Sequence, residues 1–227
     1  MDIQLHYLEA GEGFPLILLH GNGENCSYFE HQIDYFSEQY RVIAVDTRGH
    51  GLSPRGEAPF TIRQFAWDLF DLMNELEIPK AHILGFSDGG NIALCFALAH
   101  PERVEKLIVN GANLYPAGVK TRDQREITRQ YYEACEAAEY DPDAWQDAEM
   151  LGLMVNDPYI RPRSLRKLHM PVLVIAGTND VIKTGHTKYI AKCIPHSRLE
   201  FIEGDHFIAA SQPEIFNAIV DDFLSEY

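Results

Sequence analysis

The stretch "HILGFSDGGN", residues 82–91, carries the reading of the fold. An apolar run of the kind found in buried strands stops at Ser87, and glycines stand two positions away on either side, at Gly85 and Gly89. Helical residues resume at once, in "GNIALCFALAHP" over 90–101. A chain that turns from strand to helix in so few residues holds its apex in a strained conformation. Large side chains two positions away would collide, so glycine is required there. The strain lifts the Ser87 hydroxyl out of the sheet at a helix N-terminus, whose dipole favours developing negative charge. A glycine-rich turn without chemistry has the same letters, but strand, reversal and helix in register favour an exposed nucleophile.

Outward from this point the same alternation repeats. Strands are predicted over 15–20 ("PLILLH"), 40–46 ("YRVIAVD"), 81–86 ("AHILGF"), 106–112 ("KLIVNGA"), 171–177 ("PVLVIAG") and 198–204 ("RLEFIEG"). Their centres are nearly continuous Ile, Leu and Val, as in strands buried on both faces of a parallel sheet. "DIQLHYLEA" alternates and predicts an edge strand or half a hairpin. Over 61–76, Ile62, Phe65, Ala66, Leu69, Leu72 and Leu76 form one helical stripe, with Thr61 and Gln64 at capping-box spacing. A further helix is predicted over 213–227. The pattern is that of an α/β protein: a doubly wound, mostly parallel sheet of about seven strands with helices on both faces.

Residues 113–168 break the rhythm. They hold helical pattern and no strand candidate, and must sit over one end of the sheet. Too short for a core of their own, they are read as a small helical cap inserted late in a single core domain made of 1–112 and 169–227.

A serine hydroxyl needs a base, and the base an orienting acid. In a parallel sheet these come from loops at the carboxyl ends of later strands. Asp180 follows "PVLVIAG" in "TND", and His206 follows "RLEFIEG" in "DHF". His206 would take the serine proton and return it to the leaving group, while Asp180 holds the imidazole tautomer. Asp205 is the weaker acid candidate, since neighbouring side chains diverge. His31, His100, His169, His186 and His196 lack strand-end placement and read as surface or packing residues. An oxyanion requires two donors, here the backbone N–H groups of Asp88 and of Asn22 in the loop "HGNGEN" (20–25). His20 reads as a structural loop residue. That loop lacks a Walker lysine and the G-x-G-x-x-G pattern, so a phosphate cradle is excluded.

Taken together, "LLHGNG", "VIAVDTRGHGLS" (42–53), "ILGFSDGGNIAL", "PVLVIAGTND" and "GDHF" make the chain resemble the α/β-hydrolase fold family over nearly its whole length. The chain order Ser87, Asp180, His206 is also that of the family. The resemblance implies the catalytic roles given above, with "DTRGHGLS" a structural loop. Dehalogenases and epoxide hydrolases of the family use an aspartate at the elbow, and Ser87 disfavours both. The serine branch spans esterases, lactonases, aminopeptidase-like enzymes, lipases, carbon–carbon bond hydrolases and perhydrolases. A cap this short disfavours large substrates.

Composition narrows the partners. A formal charge of −15 argues against nucleic acid and anionic membranes. No apolar run is long enough to cross a bilayer, and the N-terminus lacks the pattern of a signal peptide, so a cytoplasmic protein is expected. The four cysteines are scattered without metal-like spacing and read as free thiols. No metal and no organic cofactor is expected, and the partner is a small-molecule ester.

Asp88, directly after the serine, has three readings. It caps the following helix, it faces the substrate and attracts a cationic group, or it tunes His206. The cap is acidic at Glu133, Glu136, Glu139, Asp141, Asp143, Asp147 and Glu149, either as a solvated face or as a field that favours cations. Its Ile127, Tyr131, Tyr132, Trp145, Met150, Leu151, Leu153 and Met154 are expected mostly to pack down on the core, with Trp145 and Met154 the first candidates for an acyl pocket. The expected activity is hydrolysis of carboxylic esters with small to medium or aromatic acyl groups, through an acyl-enzyme on Ser87. The alternatives are an amino-acyl ester or aminopeptidase-like hydrolase, a lactonase, or a non-catalytic small-molecule sensor on the same scaffold.

Overall fold

The computed structural model describes residues 2–141 and 144–226. Seven strands form one sheet: β1 (Tyr7–Ala10), β2 (Phe14–Leu19), β3 (Tyr40–Val45), β4 (Ala81–Phe86), β5 (Val104–Asn110), β6 (Val172–Gly177) and β7 (Ser197–Ile202). Their order across the sheet is β1-β3-β2-β4-β5-β6-β7. β1 runs antiparallel to β3 at one edge, and all other neighbours are parallel.

The strands are apolar throughout because both faces are covered. Ile17, Leu19, Ile83, Leu107 and Val174 point into one apolar cluster. Leu16, Leu18, Leu84, Ile108 and Ile175 point into another. The helices are α1 (Glu30–Phe36), α2 (Ile62–Glu75), α3 (Asp88–Ala99), α4 (Thr121–Ala138), α5 (Ala144–Asn156), α6 (Thr184–Cys193), α7 (Ile208–Ser211) and α8 (Pro213–Ser225). α2 and α3 cover the first face, and α8 and α1 the second. None of the described helices is long and apolar enough to cross a membrane. The apolar stripe of α2 is buried at Ile62, Phe65, Ala66, Leu69 and Leu72. Only half of its capping box forms. Thr61 Oγ1 accepts from the Gln64 N–H at 3.1 Å, while the Gln64 side chain turns to Asp68.

α4 and α5 stand between β5 and β6 and pack chiefly on each other. The expectation that their apolar residues pack mostly on the core is corrected here. No residue of α4 is buried, and in α5 only Ala148 and Leu153 are. The polar majority of α4 leaves it too small an apolar face to bury. α5 joins the first apolar cluster through Leu153 and is otherwise tied to the core by polar contacts. Arg55 grips Glu149 with two hydrogen bonds, and Gln146 donates to Gly49 O at 3.1 Å. The loop after β3 is anchored by Arg48, fully buried and paired to both oxygens of Asp68 at 2.7 Å.

The turn after β4 is as tight as its sequence demands. Ser87 has φ 53° and ψ −118°. A Cβ at Gly85 would lie 2.2 Å from Gly89 O, and one at Gly89 would lie 2.0 Å from Leu19 O. Both clashes are with backbone, so neither relaxes by a side-chain rotation. Gly89→Ala is therefore expected to cost about 3 kcal/mol or more, seen as a large drop in Tm. Gly185→Ala, where a Cβ meets nothing within 4 Å, is expected to leave the protein as stable or slightly more so.

Candidate active site

Parallel strands end together, so the loops after β2, β4, β5, β6 and β7 converge at one edge of the sheet. Ser87 sits at the tip of the turn after β4. Its N–H donates to Asn110 O at 2.8 Å, which fixes it to the end of β5. Asp180 lies three residues beyond β6 and His206 four beyond β7.

The structure brings these three side chains together. His206 Nε2 is 3.0 Å from Ser87 Oγ, and His206 Nδ1 is 2.7 Å from Asp180 Oδ1. The same Asp180 oxygen accepts from the Ile182 N–H at 2.8 Å, so the carboxylate is fixed by its own loop. Asp180 and His206 are buried at 3% and 8% exposure, which shields their contact from solvent. Gly111, at φ +62°, lets β5 pass beneath them, since a Cβ there would meet His206 Cε1 at 2.7 Å. Asp205 is exposed and accepts from the Phe207 N–H instead of facing the imidazole.

His20 plays a different part. Its Nδ1–H donates to Gly21 O at 2.7 Å, and Nε2 accepts from the Thr47 N–H at 3.0 Å. Burial pushes its pKa down to about 4, so it stays neutral and braces the loop 20–25. The Asn22 backbone follows directly. The Asn22 side chain donates to Asp88 Oδ2 at 3.0 Å and to Met150 O of α5 at 2.8 Å. Asp88 is 6% exposed, and its other oxygen accepts from Asn91 Nδ2 at 3.0 Å. Burial raises its pKa against the pull of these amides.

A cavity of about 160 Å³ opens above Ser87 and His206. Val119, Ile127, Met154, Val181, Ile182 and Phe207 form its apolar part, and Asn22, Glu24, Asp88 and Asn113 its polar part. Of the two residues expected at an acyl pocket, Met154 lines this cavity, while Trp145 is a correction. Trp145 is 60% exposed and lines a separate groove of about 490 Å³ beside Phe60 and Tyr131. Nine positions separate the two on α5, about two and a half helical turns, so they leave opposite faces. Of the acidic run, Asp143 lies outside the described residues, and Glu133 and Glu149 are paired with Arg129 and Arg55.

Glu24 went unnoticed in the sequence. Its Oε2 accepts weakly from the Gly21 N–H at 3.4 Å, and burial raises its pKa to about 7, opposed by the charge that His206 acquires on protonation. Only its place two residues after Asn22 could have flagged it. Asn113, three residues past β5, was missed for want of any pattern around it.

Comparison with known proteins comes to the same fold. A sequence model described as alpha/beta hydrolase fold matches residues 15–134. The chain is 29% identical to 3-oxoadipate enol-lactonase 2 of Acinetobacter baylyi, over 100% of this chain and 95% of that protein. It is 31% identical to the human serine hydrolase BPHL, over 98% of this chain and 83% of that one. Among solved structures, the enol-lactonase of Burkholderia xenovorans superposes with a TM-score of 0.84 at 23% identity, covering 99% of this chain and 97% of the other.

The raised pKa of Glu24 has a consequence for stability. A carboxyl that ionises near 4.5 when unfolded and near 7 when folded favours the folded state in its protonated form. That contribution is complete below about 4.5 and is lost as the pH rises through about 7. Glu24→Gln keeps an acceptor for the Gly21 N–H and cannot ionise. Its Tm is expected to exceed that of the wild type by more at pH 8 than at pH 5, measured by thermal melts in matched buffers.

Proposed function

The chain belongs to the alpha/beta hydrolase fold family, and from that premise we propose that it is a serine hydrolase of small neutral or cationic carboxylic esters, lactones included. One observation carries the reading: the unbroken hydrogen-bonded chain from Ser87 Oγ through His206 to Asp180, at the floor of a small cavity.

The reaction proceeds in two halves. Ser87 Oγ attacks the carbonyl carbon as His206 Nε2 takes its proton, and Asp180 stabilises the imidazolium that forms. The oxyanion rests on the N–H groups of Asn22 and Asp88. The first turn of α3 leaves its N–H groups without helical partners, so among the described residues the Asp88 N–H is available for this task. His206 then gives its proton to the departing alcohol oxygen, leaving the acyl group on Ser87. Water repeats the sequence in reverse: its proton goes to His206, its oxygen to the acyl carbon, and the proton returns to Ser87 as the acid leaves. Each oxyanion donor contributes about 3–4 kcal/mol of transition-state stabilisation.

The cavity sets the substrate. A volume of about 160 Å³ suits a short acyl chain, with Ile127 of α4 and Met154 of α5 as its roof. The residues from 113 to 168 act as a cap in this reading. The names of the relatives, lactonase and serine hydrolase, support ester and lactone carbonyls as the reacting group. Glu24 and Asp88 in the wall disfavour anionic substrates to the extent that they are ionised, so the effect grows with pH as burial raises the pKa of both.

Two experiments test this. Burst-phase hydrolysis of p-nitrophenyl acetate is expected to show an acyl-enzyme, with kcat reduced about 10⁵-fold or more in Ser87→Ala and about 10⁴-fold in Asp180→Asn. Turnover that survives in Ser87→Ala would overturn the mechanism. Across acetate, butyrate, octanoate and hemisuccinate esters, kcat/KM is expected to fall at octanoate for lack of room and at hemisuccinate for its charge. A hemisuccinate hydrolysed faster than its neutral methyl counterpart at low salt would refute the charge argument.

A further inference from the structure

The identity of residue 88 is not explained by the turn it occupies, because backbone geometry asks nothing of its side chain. Its contacts explain it. Both carboxylate oxygens go to side-chain amides, Oδ2 to Asn22 Nδ2 and Oδ1 to Asn91 Nδ2, each at 3.0 Å. Two donors converge on one buried group, so that group must accept twice. A carboxylate does so, whereas an asparagine would turn an N–H toward one of the donors.

The contacts continue in both directions. The second hydrogen of Asn22 Nδ2 goes to Met150 O, within α5, at 2.8 Å. Asn91 Nδ2 also donates to Asn113 Oδ1 at 3.1 Å, and Asn91 Oδ1 accepts from the Asn113 N–H at 2.9 Å. Asn113 Nδ2 then donates to Tyr115 O at 3.1 Å. One strut of polar groups thus runs from the start of the helical insertion, through the first turn of α3, to the loop after β2 and on to α5.

We infer that Asp88 is a positioning residue that holds the Asn22 loop in place for the oxyanion and couples that loop to the insertion above it. The inference rests on the proposed hydrolase reading for its catalytic consequence, though not for the coupling itself. Asn22 contributes a backbone N–H to the oxyanion, and its side chain is the handle by which that N–H is set. Glu24, tied to the Gly21 N–H, and His20, tied to Gly21 O, fix the loop at its base but leave its tip to this handle. A donor displaced by a fraction of an ångström from the developing oxyanion loses most of its effect, and a full donor is worth about 100- to 1,000-fold in kcat.

The test uses the full-length protein with Asp88→Asn, Asn22→Ala and the double variant. Asn22→Ala keeps the backbone donor and, at a half-buried position, remains informative should Asp88→Asn fail to fold. With p-nitrophenyl acetate, each single variant is expected to lose about 30- to 100-fold in kcat, short of the full worth of one donor, with KM changed less than about threefold. The double variant is expected to be no worse than the weaker single, since both break one strut. Affinity for a trifluoromethyl ketone, which forms a tetrahedral oxyanion adduct, is expected to fall by the same factor, a loss that mere destabilisation would not produce. Wild-type kcat in both singles, or additive losses, would overturn the inference while leaving the Ser87 mechanism intact. Hydrogen exchange gives a readout independent of turnover. Both variants are expected to speed exchange at 20–25 and 144–156 and to leave β4 and β5 unchanged. Unaltered exchange in both segments overturns the coupling whether or not the protein hydrolyses esters.

Discussion

Everything at this edge of the sheet depends on one forced backbone conformation. Ser87 holds φ 53°, a region that non-glycine residues avoid at a cost of about 1–3 kcal/mol. Left to itself the residue would relax into the helix that follows and draw its hydroxyl away from His206. It is prevented from doing so on three sides. β4 is buried along its whole length, the Ser87 N–H is held by Asn110 O, and the Ser87 carbonyl accepts from the Asn91 N–H at 3.1 Å. Gly89 presses against the backbone of β2 so closely that no side chain fits between them. The strain is therefore sustained by the two neighbouring strands, and the core of the sheet is what keeps the serine raised.

The other groups are arranged around that fixed point by polar contacts more than by apolar ones. His20, neutral at physiological pH, joins the loop after β2 to the loop after β3. Asp46 accepts from the Cys26 N–H and the Leu52 N–H, closing the same two loops from below. Such groups gain little net stability each, but leaving any one unpaired in a buried place is costly. They specify one arrangement of loops whose sequences alone would permit many.

This division explains what could be read from the sequence. Strand ends are legible because apolar runs are, so Ser87, Asp180 and His206 follow once the strands are placed and the parallel order is inferred. The small elements were not: α1 and α6 carry mixed, short patterns that no periodicity separates from loop. Trp145 shows a second limit. Helical spacing says that Trp145 and Met154 diverge, but not which of their faces looks at the serine, since that depends on how α5 is anchored. The anchors, Arg55 on Glu149 and Gln146 on Gly49, lie nearly a hundred positions away in the chain. The acidic run shows the same limit at one position, because the arginine that faces Glu149 comes from the core and not from the insertion.

The carboxylates in the cavity wall bear on the chemistry through their timing. Glu24 and Asp88 are both held where burial disfavours their ionised forms, and a positive charge on His206 opposes that penalty only as a smaller effect, behind the hydrogen bonds each carboxyl accepts. In the proposed reaction that charge exists only after the serine proton has moved. A buried carboxylate that gains its partner at that moment lowers the energy of the charged intermediate relative to the resting enzyme, which is the condition for an interaction to accelerate a reaction and not merely to bind. Asp180, hydrogen-bonded to the imidazole throughout, supplies orientation in both states. Among the described residues Glu24 and Asp88 share no hydrogen bond with His206, so in the proposed reaction any effect of theirs falls on the energy of the imidazolium and leaves the geometry of the ring to Asp180.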